Sequence, residues 1–72
     1  MVYVMLADGF EEIEALTVVD VLRRAGIDVS TVSISDSKTV TGSHKIPVIS
    51  DILLGDADLD NAEMVVLPGG MP

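Results

Sequence analysis

A carboxylate in an unexpected place is the first chemical signal in this sequence. With Glu11 set at 0° on a helical wheel, Ala15, Val18, Val21, Leu22 and Ala25 fall in an arc from about 280° to 40°. Glu14 falls inside that arc, at about 300°, whereas Asp20, Arg23 and Arg24 lie on the opposite side. The wheel predicts that Glu14 points to the sheet-facing side of a helix, in its first turn, beside the carboxyl ends of the strands. Burial raises the pKa of a carboxyl group and a helix N-terminus lowers it; in either case the group requires a partner, and a catalytic dyad would provide one. A partly exposed first-turn glutamate that helps cap the helix is the alternative reading.

The second signal is Pro68-Gly69-Gly70, directly after an apolar run. Two glycines there let the backbone turn sharply and present its N–H groups, as an oxyanion site or a phosphate cradle requires. They equally permit a plain tight turn. The phosphate-loop pattern itself is absent, because no Lys-Ser/Thr pair and no following helix accompany the glycines. His44, the sole histidine, reads as an exposed turn residue away from the carboxyl ends of the main strands. Asp56, Asp58 and Asp60 have the opening spacing of a calcium loop, but Asn61 stands where the glycine belongs and Leu67 where the closing glutamate belongs. They read as a solvated connection. Asp8 ends the first apolar run; a phosphoacceptor cluster is one use for it, and capping is the simpler one. The chain has no cysteine, which removes thiol nucleophiles, thiolate metal sites and disulfides. No motif calls for a cofactor or a metal.

The elements that must position these residues follow from periodicity. Val2 to Ala7 is a continuous apolar run of strand length, suited to burial on both faces and stopped by Asp8-Gly9. From Glu11 to Ala25 the period becomes helical, with Gly26 as its stop, and Asp8 with Glu11 has the spacing of a capping box. Ile27 to Ile34 reads as a second strand and Thr39 to Ile49 as a hairpin around Gly42-Ser43, which Pro47 confines to an edge. Asp51 to Ala62 is an acidic connection with room for one helical turn. Glu63 to Leu67 reads as a last buried strand running into the glycine turn. Strand, helix, strand in this order is the right-handed parallel unit of an α/β fold, which needs helices on both faces of its sheet. Only one substantial helix is present, so one face of the sheet is expected to lie bare. Residues 1–72 are thus expected to be the N-terminal portion of a single domain, interrupted at the carboxyl end of the sheet, where open α/β folds place their ligands.

Composition narrows the function classes. Twelve acidic and four basic residues give a net charge of −8, in a chain that is 49% hydrophobic. Nucleic acid and anionic membrane surfaces both need clustered Lys and Arg, so neither is expected as a partner. No apolar run approaches the roughly 18 residues of a membrane span. The absence of cysteine and of a spanning segment points to the cytoplasm.

The segments VYVMLADGFEEIEALTVVDVLRRAGIDV, GSHKIPVISD and DADLDNAEMVVLPGG, in this order, resemble the N-terminal part of the ThiJ/PfpI family, and most nearly its branch of parkinsonism-associated deglycases. The resemblance covers essentially the whole chain but about two-fifths of a family domain. It implies a flavodoxin-like α/β sandwich like that of the class I glutamine amidotransferases, commonly a homodimer, with a reactive cysteine on a strained strand-to-helix turn. It further implies that Glu14 hydrogen-bonds to that cysteine, and that Gly69 and Gly70, Gly70 above all, line the oxyanion site. The helix from Glu11 to Ala25 would contribute to dimer contacts, with Leu16 and Val19 extending its apolar surface. The cysteine and the histidine of the family lie beyond the glycine turn and have no counterpart here, so this chain alone is expected to be inert and to need the remaining C-terminal part of its domain. The implied chemistry is glyoxalase or deglycase action on small reactive carbonyls. Amidase or peptidase activity, a thiazole-biosynthesis role, and a non-catalytic redox-sensing or chaperone-like role stay open, as does a flavodoxin-like nucleotide module at the glycine turn.

Overall fold

The computed structural model describes residues 1–70. Its elements are β1 (Val2–Leu6), α1 (Glu12–Arg24), β2 (Val29–Ser33), β3 (Thr39–Thr41), β4 (Pro47–Ile49), β5 (Ile52–Leu53) and β6 (Met64–Val66), with two 3₁₀ turns, Leu54–Asp56 and Leu59–Asn61, before β6. Four strands form one sheet in the order β5-β2-β1-β6, and every pairing in it is parallel. The antiparallel β3–β4 hairpin stands apart from that sheet. The α/β architecture with a parallel sheet is therefore the one expected from the sequence.

β1 is the central strand and its apolar run is buried on both sides. Val2, Val4 and Leu6 join Phe10, Ala15, Val19, Val29 and Val40 in the core, with Val18, Leu22, Val48 and Val66 packed around them. Helix and hairpin thus share one core. Tyr3 and Val32 alternate to the other face and are buried as well. The Tyr3 hydroxyl accepts a 3.0 Å hydrogen bond from the Asp58 amide, which ties the acidic connection to the end of the sheet. That face is accordingly less bare than one helix alone would leave it. β6 is exposed on both faces, at Met64 on the helix side and Val65 on the Tyr3 side, and Leu67 just after the strand is 77% exposed. The expectation of a buried last strand fails because β6 lies at the sheet edge, with β1 as its one neighbour.

α1 ends as its sequence requires. Gly26 has φ of 78° and its amide bonds to the Arg23 carbonyl, a backbone conformation natural to glycine. The helix start differs from the capping-box reading. Glu11 is the N-cap, its Oε1 accepting from the Ile13 amide at 3.2 Å, while Asp8 Oδ1 instead accepts from the Thr41 amide at 3.0 Å. Gly9 turns at φ of 89° and delays the helix, which puts Asp8 too far upstream to cap it. β5 lies within the segment that the sequence reads as an acidic connection. Asp51 sets it in place through reciprocal bonds, Thr31 N to Asp51 Oδ2 at 2.9 Å and Asp51 N to Thr31 Oγ1 at 2.8 Å, with Arg23 at 2.8 Å on the same carboxylate.

Candidate functional site

The carboxyl ends of β1 and β6 and the start of α1 enclose the region where the sequence placed its candidate residues. A cleft of about 320 Å³ opens there, lined by Leu6 to Phe10, Ile34 and Leu67 to Gly70. A second groove, between α1 and β6, is lined by Ile13, Glu14, Thr17, Val18, Val66 and Leu67 to Gly69. Gly69 borders both.

The glycine turn is fixed by backbone contacts. The Glu11 amide donates to the Gly69 carbonyl at 2.7 Å, and Gly70 forms an antiparallel bridge with Phe10. A Cβ on Gly70 would collide with the Gly9 carbonyl oxygen and come within 2.7 Å of Phe10 Cα, so the close approach of the two segments requires glycine. A Cβ on Gly69 would lie 2.6 Å from Glu14 Oε2. The Glu14 carboxylate therefore rests against the Gly69 backbone, and the structure brings together Glu14, Gly69 and Gly70.

Glu14 is nonetheless exposed in this chain, against the wheel's prediction. The buried helix positions are Glu12, Ala15 and Val19, flanked by half-buried Val18 and Leu22. This arc is rotated by roughly 60° from the expected one, and it leaves Val21 and Ala25 outside. The rotation follows from the hairpin loop, whose donors at Ser43, His44 and Ile46 draw Glu12 inward while Ala15 and Val19 face the sheet. Val19 is thus a core residue and not part of an outer apolar surface; Leu16, Ile13 and Val21 are the exposed apolar residues of α1.

The carboxylate that sequence reasoning missed is Glu12, which is only 3% exposed. It reaches the hairpin loop that joins β3 to β4. Glu12 Oε2 accepts from the His44 amide at 2.8 Å and the Ile46 amide at 3.3 Å, and Oε1 bonds to His44 Nδ1 at 2.8 Å and the Ser43 hydroxyl at 3.4 Å. Gly42 leaves the space for it, since a Cβ there would collide with the Glu12 carboxylate. Burial alone would raise the Glu12 pKa, but the hydrogen bonds from the His44 ring and from backbone amides outweigh it and hold the group down at about 2. The His44 pKa is raised, first by its hydrogen bond to Glu12 and then by the negative charges of Glu11 and Glu12. His44 is exposed, as expected, but it sits at the helix start and not away from the strand ends. Glu12 lay at the margin of the wheel, and its i+3 and i+7 relation to Ala15 and Val19 is the signal that could have exposed it.

Glu11, Glu12 and His44 bring possible ligand atoms within 4.8 Å of one another. Both Glu12 oxygens are already engaged by donors of the hairpin loop, so the group reads as a structural latch. The Asp56, Asp58 and Asp60 connection is equally structural: Asp58 accepts from Asn61 at 2.8 Å and its amide serves Tyr3.

An open parallel sheet with a cleft at its carboxyl ends, a helix-borne carboxylate and a glycine turn defines a flavodoxin-like α/β protein whose site is built from βα loops. This chain belongs to the DJ-1/PfpI family, whose model matches residues 1–72, and it corresponds to the N-terminal part of the family's domain. It is 39% identical over 70 residues to the DJ-1 homolog B of Arabidopsis thaliana, covering 97% of this chain and 16% of that protein. It is 40% identical over 68 residues to the dj-1beta protein of Drosophila melanogaster, covering 94% of this chain and 36% of that protein. Among solved structures, oxidized DJ-1 of Toxoplasma gondii superposes with a TM-score of 0.93 at 38% identity, over 99% of this chain and 39% of that one. A C103A mutant of a DJ-1 superfamily protein from Salmonella typhimurium gives 0.91 at 45% identity, over 96% of this chain and 37% of that one. The chain thus spans well under half the length of the relatives it matches.

Proposed function

We propose that this chain is the N-terminal part of a cysteine-dependent enzyme that acts on small reactive carbonyls, in the manner of a glyoxalase or deglycase. The carrying observation is the contact between the Glu14 carboxylate and the Gly69 backbone beside a cleft at the carboxyl ends of β1 and β6. A thiolate entering that cleft from the remaining C-terminal part of the domain would attack the electrophilic carbonyl. Glu14 would hold the thiol and exchange its proton, and the Gly69-Gly70 turn, Gly70 foremost, would steady the developing oxyanion. Exposure of Glu14 in this chain accords with that role, because a carboxylate whose partner lies on another segment stays open until the segment docks. The exposed β6 edge accords with it in the same way. The exposed Ile13, Leu16 and Val21 supply an apolar stripe suited to a homodimer contact in a cytoplasmic stress protein.

The test is consumption of methylglyoxal by this chain joined to the cysteine-bearing remainder of a family domain, with Glu14 and with Glu14→Gln. A loss on the order of 100-fold or more supports proton exchange by Glu14; equal rates remove Glu14 from the mechanism. A non-catalytic, redox-sensing role is the second reading, favoured by the fact that one of the most similar solved structures is of an oxidized DJ-1. It predicts thiol oxidation without turnover.

A further inference from the structure

The hairpin loop and the glycine turn are joined through one short segment. Residues 8–11 meet the hairpin through Gly9 N to Thr41 O at 2.8 Å, Ser43 N to Phe10 O at 2.8 Å and Thr41 N to Asp8 Oδ1 at 3.0 Å. The same segment holds the turn through Glu11 N to Gly69 O and the Phe10–Gly70 bridge. On its far side the loop is anchored to α1 by a single buried side chain, Glu12, whose two oxygens bond to Ser43, His44 and Ile46.

We propose that Glu12 and His44 act as positioning residues for the Gly69-Gly70 turn: their hydrogen bond locks the hairpin loop onto α1, the loop clamps residues 8–11, and that segment holds the turn. The state of His44 then sets how firmly the turn is held. Protonated, the ring gives a charge-assisted bond to Glu12, the stronger kind. Neutral, it keeps a weaker bond, and only in the tautomer with its proton on Nδ1. The charged groups around the ring are Glu12 at 2.8 Å and Glu11 at 3.9 Å on α1, with Lys45 adjacent in the loop and Asp8 bonded to Thr41 at the loop's base. The nearest of these are negative, and the raised His44 pKa agrees with that field. The inference rests on reading the glycine turn as the oxyanion side of a site, but its test reports backbone order at the turn and fails independently of that reading.

The experiment is NMR on the chain as it stands. The single histidine gives one imidazole titration, and hydrogen exchange of the Glu11 amide reports the bond to Gly69. Glu11 protection, corrected for intrinsic exchange, should fall on the order of tenfold as pH rises through the His44 titration, with the same midpoint. In His44→Gln the protection should be low and independent of pH across that window. Glu12→Gln, which keeps an acceptor but not the charge, should lower the His44 pKa and reduce protection. If Glu12→Gln does not fold, His44→Gln still decides the matter, since it leaves the buried carboxylate its amide donors. Glu11 protection that stays constant while His44 titrates, or that is unchanged in His44→Gln, overturns the proposal.

Discussion

Replacing Gly70 with alanine asks whether the glycine turn is held by backbone contact or merely lies near it. The added Cβ would overlap the Gly9 carbonyl oxygen and crowd Phe10 Cα at 2.7 Å and the Glu11 amide at 3.0 Å, at a residue whose φ is 155°. Keeping the bridge would combine a strained backbone conformation, costing about 1–3 kcal/mol, with overpacking of about 1–3 kcal/mol. Releasing the turn instead loses chiefly the Glu11–Gly69 hydrogen bond, a net of about 0.5–1.5 kcal/mol. The cheaper route wins, so Gly70→Ala should destabilise the chain by only about 1 kcal/mol in urea denaturation. Meanwhile the Glu11 amide should lose most of its exchange protection, because the turn has let go. Amide exchange measured together with the denaturation midpoint separates the two routes. A Gly70→Ala chain with full Glu11 protection and unchanged midpoint would refute the steric argument. A loss of several kcal/mol would show that the turn cannot be released without disturbing the core.

Leu6→Ala removes a fully buried side chain from the central strand and should cost about 2–5 kcal/mol, read as a sharp drop in denaturation midpoint. Tyr3→Phe deletes the acceptor of the Asp58 amide and should cost about 0.5–1.5 kcal/mol, with increased exchange confined to residues around Asp58. The pH dependence has two arms. The contribution of Glu12, whose pKa falls from 4.5 to about 2, is present above pH 4.5 and is lost as pH drops toward 2. That of His44, raised above 6.5, is present below pH 6.5 and is lost as pH rises through the raised value. Stability against urea should therefore be greatest between these limits, and His44→Gln should flatten the alkaline arm and also shrink the acid arm, because the His44 ring helps hold the Glu12 pKa down.

The fold was largely legible because its main elements have strong local signals. The apolar run of β1, the helical period ended by Gly26, and the hairpin at Gly42-Ser43 depend on chain-local physics, and all three stand where the sequence puts them. What eluded the sequence depends on contacts between distant segments. β5 is two residues long and is held by Asp51 acting on Thr31 and Arg23, pairings with no period of their own. The β6 run reads as buried from its composition, but burial of an edge strand is decided by its neighbours. The wheel located the right helix and misplaced its buried arc by a roll of roughly 60°. That roll is set by the hairpin packed beside it, so the buried carboxylate is Glu12 and the exposed one Glu14. The contact of Glu14 with Gly69 was not legible in the sequence; it forms because the first turn of α1 and the turn after β6 meet at the carboxyl end of the sheet.

The central claim, that Glu14 serves a thiol brought to the glycine turn, is tested most directly by the pH dependence of cysteine alkylation. The measurement uses this chain joined to the cysteine-bearing part of a DJ-1/PfpI domain, with Glu14 and with Glu14→Gln. Glu14→Gln should shift the midpoint of the alkylation profile, because the thiol has lost the group that bonds to it and exchanges its proton. Superimposable profiles would contradict it.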